Sequence, residues 1–182
     1  MEQQFQYYAF ISYKREDEKW AKWLQDRLRW YKLPSKLCRQ ITRLPKKVWP
    51  VFRDNTDLDS GRLEENIRHE LERSHYLIVI CSPEAARSPW VGKEVKYFAT
   101  LHGADKIIPF VVSGIPYSND IETECIHEQI KAISQEELLA INVREEGIGS
   151  FAMKKKRAFI RVVARLLDIK FNTLWPVSYT HL

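Results

Sequence analysis

Long hydrophobic runs are missing from this sequence. Its apolar stretches are strand-sized, Leu77–Cys81 being typical, and none approaches the roughly 18 apolar residues of a membrane span. The N-terminal MEQQFQYY lacks a basic flank followed by an apolar segment, so no signal peptide is read there. Cysteine is scarce and odd in number. Cys38, Cys81 and Cys125 have no metal-ligand spacing and point to a reduced, cytoplasmic setting. His69, His75, His102 and His127 form neither an HExxH motif nor a paired spacing, so no metal site is expected. Glycine offers no phosphate cradle, because Gly147-Ile148-Gly149 is too short for one. Asp54, Asp57 and Asp59 ahead of Gly61 lack the spacing of a calcium loop, and N-capping acids in a loop are the simpler reading. There are no internal repeats or low-complexity tracts.

What is present is a 182-residue chain, 45% hydrophobic and 29% charged, which is one domain's worth of globular sequence. Its net charge of +5 is unevenly spread. Leu33–Lys47 and Ser150–Leu182 are strongly basic, whereas Val48–Gly149 is acidic. Such alternation fits a solvated surface and is compatible with self-association or an anionic contact. No nucleic-acid partner is expected, because no basic stripe is interleaved with stacking aromatics.

Periodicity divides the chain into alternating elements. Strands are expected at Gln6–Ser12, Val48–Arg53, His75–Cys81, Lys106–Val112 and Leu139–Val143. The run HYLIVIC reads as a central strand buried on both faces, and Pro50 puts the second strand at a sheet edge. Helical spacing appears at Glu16–Tyr31, Arg62–Ser74, Glu122–Ile133 and Met153–Leu167, the last a closing helix. Another helix starts with Ser88 as N-cap and Pro89 at its first position and runs to about Leu101. Leu33–Lys47, between Pro34 and Pro45, shows no clean period and reads as a long connection. Strand–helix alternation of this kind predicts an α/β fold: a flavodoxin-like five-stranded parallel sheet of order 2-1-3-4-5, helices on both faces.

In such a sheet, ligands bind beyond the carboxyl ends of the strands where the strand order reverses. The loops Tyr13–Glu16, Asp54–Gly61 and Ser82–Pro89 are expected to rim one crevice there. Trp90 and Glu94 share a face of the adjoining helix, a stripe that Tyr97 and Leu101 continue. A carboxylate on that stripe is either functional or held by a structural partner: an ion pair with Arg15 or Arg53, or a bond to Lys93 or Lys96. Trp90 either anchors the helix or offers its face to a base or ribose. A receiver domain shares this fold but needs an aspartate at the end of the third strand, where Cys81-Ser82 stands.

Four motifs stand in order at suitable intervals: Tyr8-Ala-Phe-Ile-Ser-Tyr13, Val51-Phe-Arg-Asp54 with Gly61, Leu77-Ile-Val-Ile-Cys-Ser-Pro83 and Ser88-Pro-Trp-Val-Gly-Lys-Glu94. Together they resemble a bacterial-type Toll/interleukin-1 receptor (TIR) domain over roughly Phe5 to Trp175. The resemblance implies an NAD glycohydrolase that cleaves the nicotinamide–ribose bond to give ADP-ribose or a cyclic ADP-ribose. NAD would then be the substrate, and no cofactor is implied. By resemblance Glu94 is the catalytic residue, and Ser12, Tyr13, Lys14, Arg15, Arg53, Asp54, Ser82 and Trp90 are substrate-binding. The resemblance further implies TIR–TIR self-association that switches activity on, TIR-containing partners, and a role in signalling or antiphage defence. The alternative is an adaptor that assembles without turnover.

The basic connection Leu33–Lys47 is longer than in receptor-type TIR domains. Residues 1–176 are assigned to the TIR domain. The final Val177-Ser-Tyr-Thr-His-Leu182 breaks the preceding patterns and looks like translated adapter sequence. The natural chain is then expected to continue past Trp175, where related proteins carry a sensor, a membrane anchor or repeats.

Overall fold

The computed structural model describes residues 4–54, 61–134, 137–145 and 147–180. Five parallel strands form one sheet in the order β2-β1-β3-β4-β5, as expected. The strands are β1 (Tyr7–Ser12), β2 (Val51–Arg53), β3 (Ser74–Cys81), β4 (Ile107–Val111) and β5 (Ile141–Asn142). The helices are α1 (Glu18–Trp30), α2 (Ser35–Gln40), α3 (Gly61–Glu72), α4 (Pro83–Ala86), α5 (Pro89–His102), α6 (Glu128–Ile133), α7 (Phe151–Leu166) and α8 (Phe171–Thr180).

Alternation along each strand sends side chains into two separate cores. On one face, Ile11, Ile78, Ile80 and Phe110 meet Leu24 and Leu28 of α1, Leu37 of α2, and Phe159 and Val163 of α7. On the other, Phe10, Leu77, Val79 and Val111 meet Leu71 of α3, Val91, Val95 and Phe98 of α5, and Ile130 of α6. β3 pairs with β1 and β4, and all but one of its residues are buried. Its continuous apolar run follows from having two dry faces.

Local chemistry moved several boundaries. The connection Leu33–Lys47 is not wholly irregular, since it contains α2, a helix too short to show a period, anchored by buried Leu37. Ser82 likewise caps a helical turn, α4, by accepting the Ala85 amide at 3.1 Å, so the expected loop Ser82–Pro89 is partly helical. The helix expected at Glu122–Ile133 is only α6, with His127 as its N-cap. Upstream, the Glu124 carboxylate binds the amides of Tyr117 at 3.0 Å and Ile126 at 2.8 Å, tying that stretch into loops instead. α7 does not close the described chain, because α8 follows and remains helical to Thr180.

Phe110 has no exposed surface and lies between β4 and the Trp20 and Trp23 rings of α1, at centroid distances of 6.5 and 6.4 Å. Phe110→Ala is expected to cost about 3–5 kcal/mol in urea unfolding, because the rigid sheet cannot collapse around the gap. Ile121→Ala, at a position 77% exposed, should shift the same transition by less than about 0.5 kcal/mol.

Candidate active site at the carboxyl edge of the sheet

Ser88 fixes the start of α5. Its hydroxyl accepts the Val91 amide at 3.3 Å and Pro89 supplies the first helical residue. A second clamp comes from α6, where the His127 Nε2 faces the Ser88 carbonyl at 3.0 Å. The Gln129 amide donates to His127 Nδ1 at 3.0 Å, so the proton of this neutral ring sits on Nε2. Burial lowers the His127 pKa, which keeps that tautomer in place. Gly92 lets the imidazole lie directly on the helix, since a Cβ there would stand 2.5 Å from His127 Cε1.

α5 so anchored points Glu94 into the edge of the sheet, where it is 3% exposed. Ser12 at the end of β1, Asp54 after β2, and Trp90 one turn earlier are the groups that act on its carboxyl. The Trp90 indole donates to Asp54 Oδ2 at 3.2 Å, tying α5 to the end of β2. Glu94 Oε2 and Ser12 Oγ are both buried without a hydrogen bond of full geometry. Among the described residues Glu94 makes no salt bridge, so the expected ion pair with Arg53 does not form. Arg53 instead binds the Gln25 side chain and the Tyr13 hydroxyl, each at 3.0 Å, and pairs with Glu18.

Burial holds the Glu94 pKa well above the usual carboxylate range; the nearby Asp54 charge pushes the same way, while bonds from Ser12 and Trp90 oppose it. Glu94 also lines a cavity of about 340 Å³ between α3 and α5, with Trp90, Tyr97, Ile67 and Leu71 among its walls.

The remaining expected residues divide. Ser12, Asp54, Trp90 and Glu94 converge, and Tyr13 with Arg53 flanks them against α1. Lys14 precedes and Arg15 opens a short 3-10 turn, Arg15–Asp17. Ser82 is engaged elsewhere, donating its hydroxyl to Asp17 Oδ2 at 2.5 Å. The rim loop after Asp54, with Asp57 and Asp59, lies outside the described residues. Sequence reading missed two supports. Asp17 is a buried acid whose pKa burial raises, and it joins the loop after β1 to the loop after β3. The Gly92–His127 clamp spans two elements. Neither leaves a local spacing signal. Among the described residues no cluster of three or more His, Cys, Asp or Glu is placed to hold a metal ion.

The flavodoxin-like sheet brings the buried acids Glu94 and Asp54 together at its strand-order reversal, the crevice where open α/β sheets take their ligands. The chain belongs to the TIR domain family, whose profile matches residues 9–137. It is similar to the NAD(+) hydrolase ApTIR of Actinoplanes sp., at 36% identity over 110 residues. That match covers 59% of this chain but spans only 14% of the relative's length. The fold is also that of the TIR domains in the activated Roq1 resistosome that directly recognises the pathogen effector XopQ. The TM-score is 0.56 at 14% identity, covering 85% of this chain and 98% of that one.

Glu94 carries a stability consequence. A carboxyl whose folded pKa lies above its unfolded value binds its proton more tightly when folded. Its stabilising effect is therefore full below the unfolded pKa and is lost as pH rises toward the folded one. Glu94→Gln should accordingly raise Tm by a few degrees at pH 8, and the two proteins should converge near pH 4 in calorimetry.

Proposed function

We propose that this chain is an NAD glycohydrolase that breaks the bond between nicotinamide and ribose, with Glu94 as the catalytic residue. The observation that carries this reading is the buried Glu94 carboxylate, with one oxygen unbonded, beside Ser12, Asp54 and Trp90 at the sheet's topological switch point. The likeness to an NAD(+) hydrolase supports it.

One carboxylate suffices for this bond. Glycosidases use two because an oxygen leaving group must be protonated. Nicotinamide in NAD is already cationic at the ring nitrogen. When the C1′–N bond breaks, its electron pair goes to the ring and the leaving group departs neutral. Positive charge develops over C1′ and the ring oxygen of the ribose. An ionised Glu94 stabilises that charge in a site with little water to screen it. The cationic substrate itself favours the ionised form that burial disfavours. Water attacking C1′ then yields ADP-ribose and a proton, whereas attack by the substrate's own adenine yields a cyclic ADP-ribose. Trp90, held by Asp54, presents a flat indole to ribose or base. Tyr13, Lys14, Arg15, Arg53 and Ser82 complete the substrate-binding set in this reading.

Self-association is the second part of the proposal. The acidic and basic segments make the chain electrostatically complementary to a second copy or to another TIR-containing protein. The cysteines are free thiols, which suits a cytoplasmic setting, and no described helix is long and apolar enough to cross a membrane. The likeness to the TIR family extends the proposal to a signalling or antiphage role through NAD loss or a cyclic product.

Nicotinamide release from NAD, followed by mass spectrometry, tests the reading. Glu94→Ala should lower kcat about a hundredfold to a thousandfold; unchanged turnover would remove Glu94 from the role. Protonation removes the charge that does the work, so kcat/KM should fall as pH drops, with a midpoint above the ordinary carboxylate value of about 4.3. Specific activity should also rise with protein concentration. A flat response across a wide range rules out control by assembly, and no release even when crowded favours an adaptor.

A further inference from the structure

Asp17 stands where an aspartate ordinarily caps a helix, at the residue before α1, yet its side chain makes no capping bond there. Its carboxylate is engaged instead by Ser82, 65 residues on in the chain, whose hydroxyl donates to Oδ2 at 2.5 Å. Asp17 is 9% exposed and Ser82 has no exposed surface. The charges that act on Asp17 are those of two other acids, Glu84 and Glu16. A buried carboxylate that forgoes a cap and faces like charges is destabilising by itself, so the bond to Ser82 is the interaction that explains its place.

Each end of this bond belongs to a different part of the candidate site. On one side, the Asp17 amide donates to the Lys14 carbonyl at 2.8 Å and closes the turn that follows β1. Ser12 fixes the start of that segment in the sheet, and Asp17 fixes its end. On the other side, Ser82 caps α4 through the Ala85 amide at 3.1 Å. The Ala85 carbonyl accepts the Ser88 amide at 3.1 Å, and Ser88 caps α5, which carries Glu94. A hydrogen-bonded path thus runs from the loop after β1 to the helix of the carboxylate.

We propose that Asp17 is a positioning residue: through Ser82 it latches residues 13–15 at a fixed distance from Glu94, so that substrate held by that segment meets the carboxylate. The inference rests on the reading of this edge as an NAD-cleaving site. Ser82 takes its part in the substrate-binding set by holding Asp17. Glu94 is held independently by the Ser88 cap, His127 and the Trp90–Asp54 bond. Loosening the latch therefore weakens substrate binding more than the chemical step.

Tryptic digestion and NAD kinetics on the full chain test the latch and its role separately. Trypsin cuts after Lys14 and Arg15, and mass spectrometry of the fragments reads how often that segment opens. Asp17→Ala should speed cleavage there about tenfold over the parent. Asp17→Asn still accepts from Ser82 and should be cut at the parent's rate. In nicotinamide release, Asp17→Ala should raise KM for NAD about tenfold, the factor one charge-assisted hydrogen bond supplies. Its kcat should stay within about twofold of the parent's, and Asp17→Asn should restore KM. Ser82→Ala removes the same bond, so the double variant should have no higher KM than the worse single one. Ser82→Ala also supplies both readings should Asp17→Ala fail to fold. Equal cleavage of parent and variant overturns the latch, whether or not the chain turns over NAD. Faster cleavage with lower kcat at unchanged KM is a loss of stability alone and overturns the positioning role while leaving the NAD reading intact. A parent that releases no nicotinamide sinks that reading, and the positioning role with it.

Discussion

Burial of β3 on both faces is the constraint from which the rest of the architecture follows. A strand with no wet side must be apolar throughout, and its neighbours must be covered by helices above and below. Polar chemistry is then displaced from the body of the sheet to the ends of its strands. At the carboxyl edge, Ser12 ends β1, Asp54 follows β2, Ser82 follows β3, and α5 lowers Glu94 among them. The crevice lies where β1 and β3 send their connections to opposite faces, so no helix fills it.

Glu94 is in conflict with that dry setting. A buried carboxylate is costly to ionise, and a second acid, Asp54, stands nearby. The structure tolerates this by over-determining the position of α5. Ser88 caps it, His127 holds the capping residue from α6, Gly92 admits that imidazole, and the Trp90–Asp54 bond ties the helix to β2. Glu94 is thereby a side chain disfavoured where it stands yet held there by four separate contacts on its helix.

The opposite face is built on another principle. Leu33–Lys47 and α7–α8, two basic stretches far apart in the chain, pack into the same core layer through Leu37, Leu44, Leu166 and Leu174. Arg43 fastens them by donating to the Leu167 and Asp168 carbonyls, each at 3.2 Å. The acidic middle of the chain supplies α3, α5 and α6 on the other face.

The amino-acid order by itself determined the strand count, the parallel sheet and the identity of its central strand, because alternation and apolar runs are local signals. It also determined the start of α5, because Ser88 and Pro89 act within one turn, and it marked Glu94 through its spacing from Trp90. Short elements escaped it. α2 and α4 span too few residues to display a period, and the Glu124 carboxylate replaced an expected helix with loops through bonds that compete with the helical ladder. Only the tertiary structure decided that Arg53 is taken by Gln25, Tyr13 and Glu18 rather than by Glu94, that Ser82 turns to Asp17, and that His127 lies on Gly92. Each of those outcomes is a competition among partners from different elements, and such competitions are resolved by distance in the folded chain rather than by spacing along it.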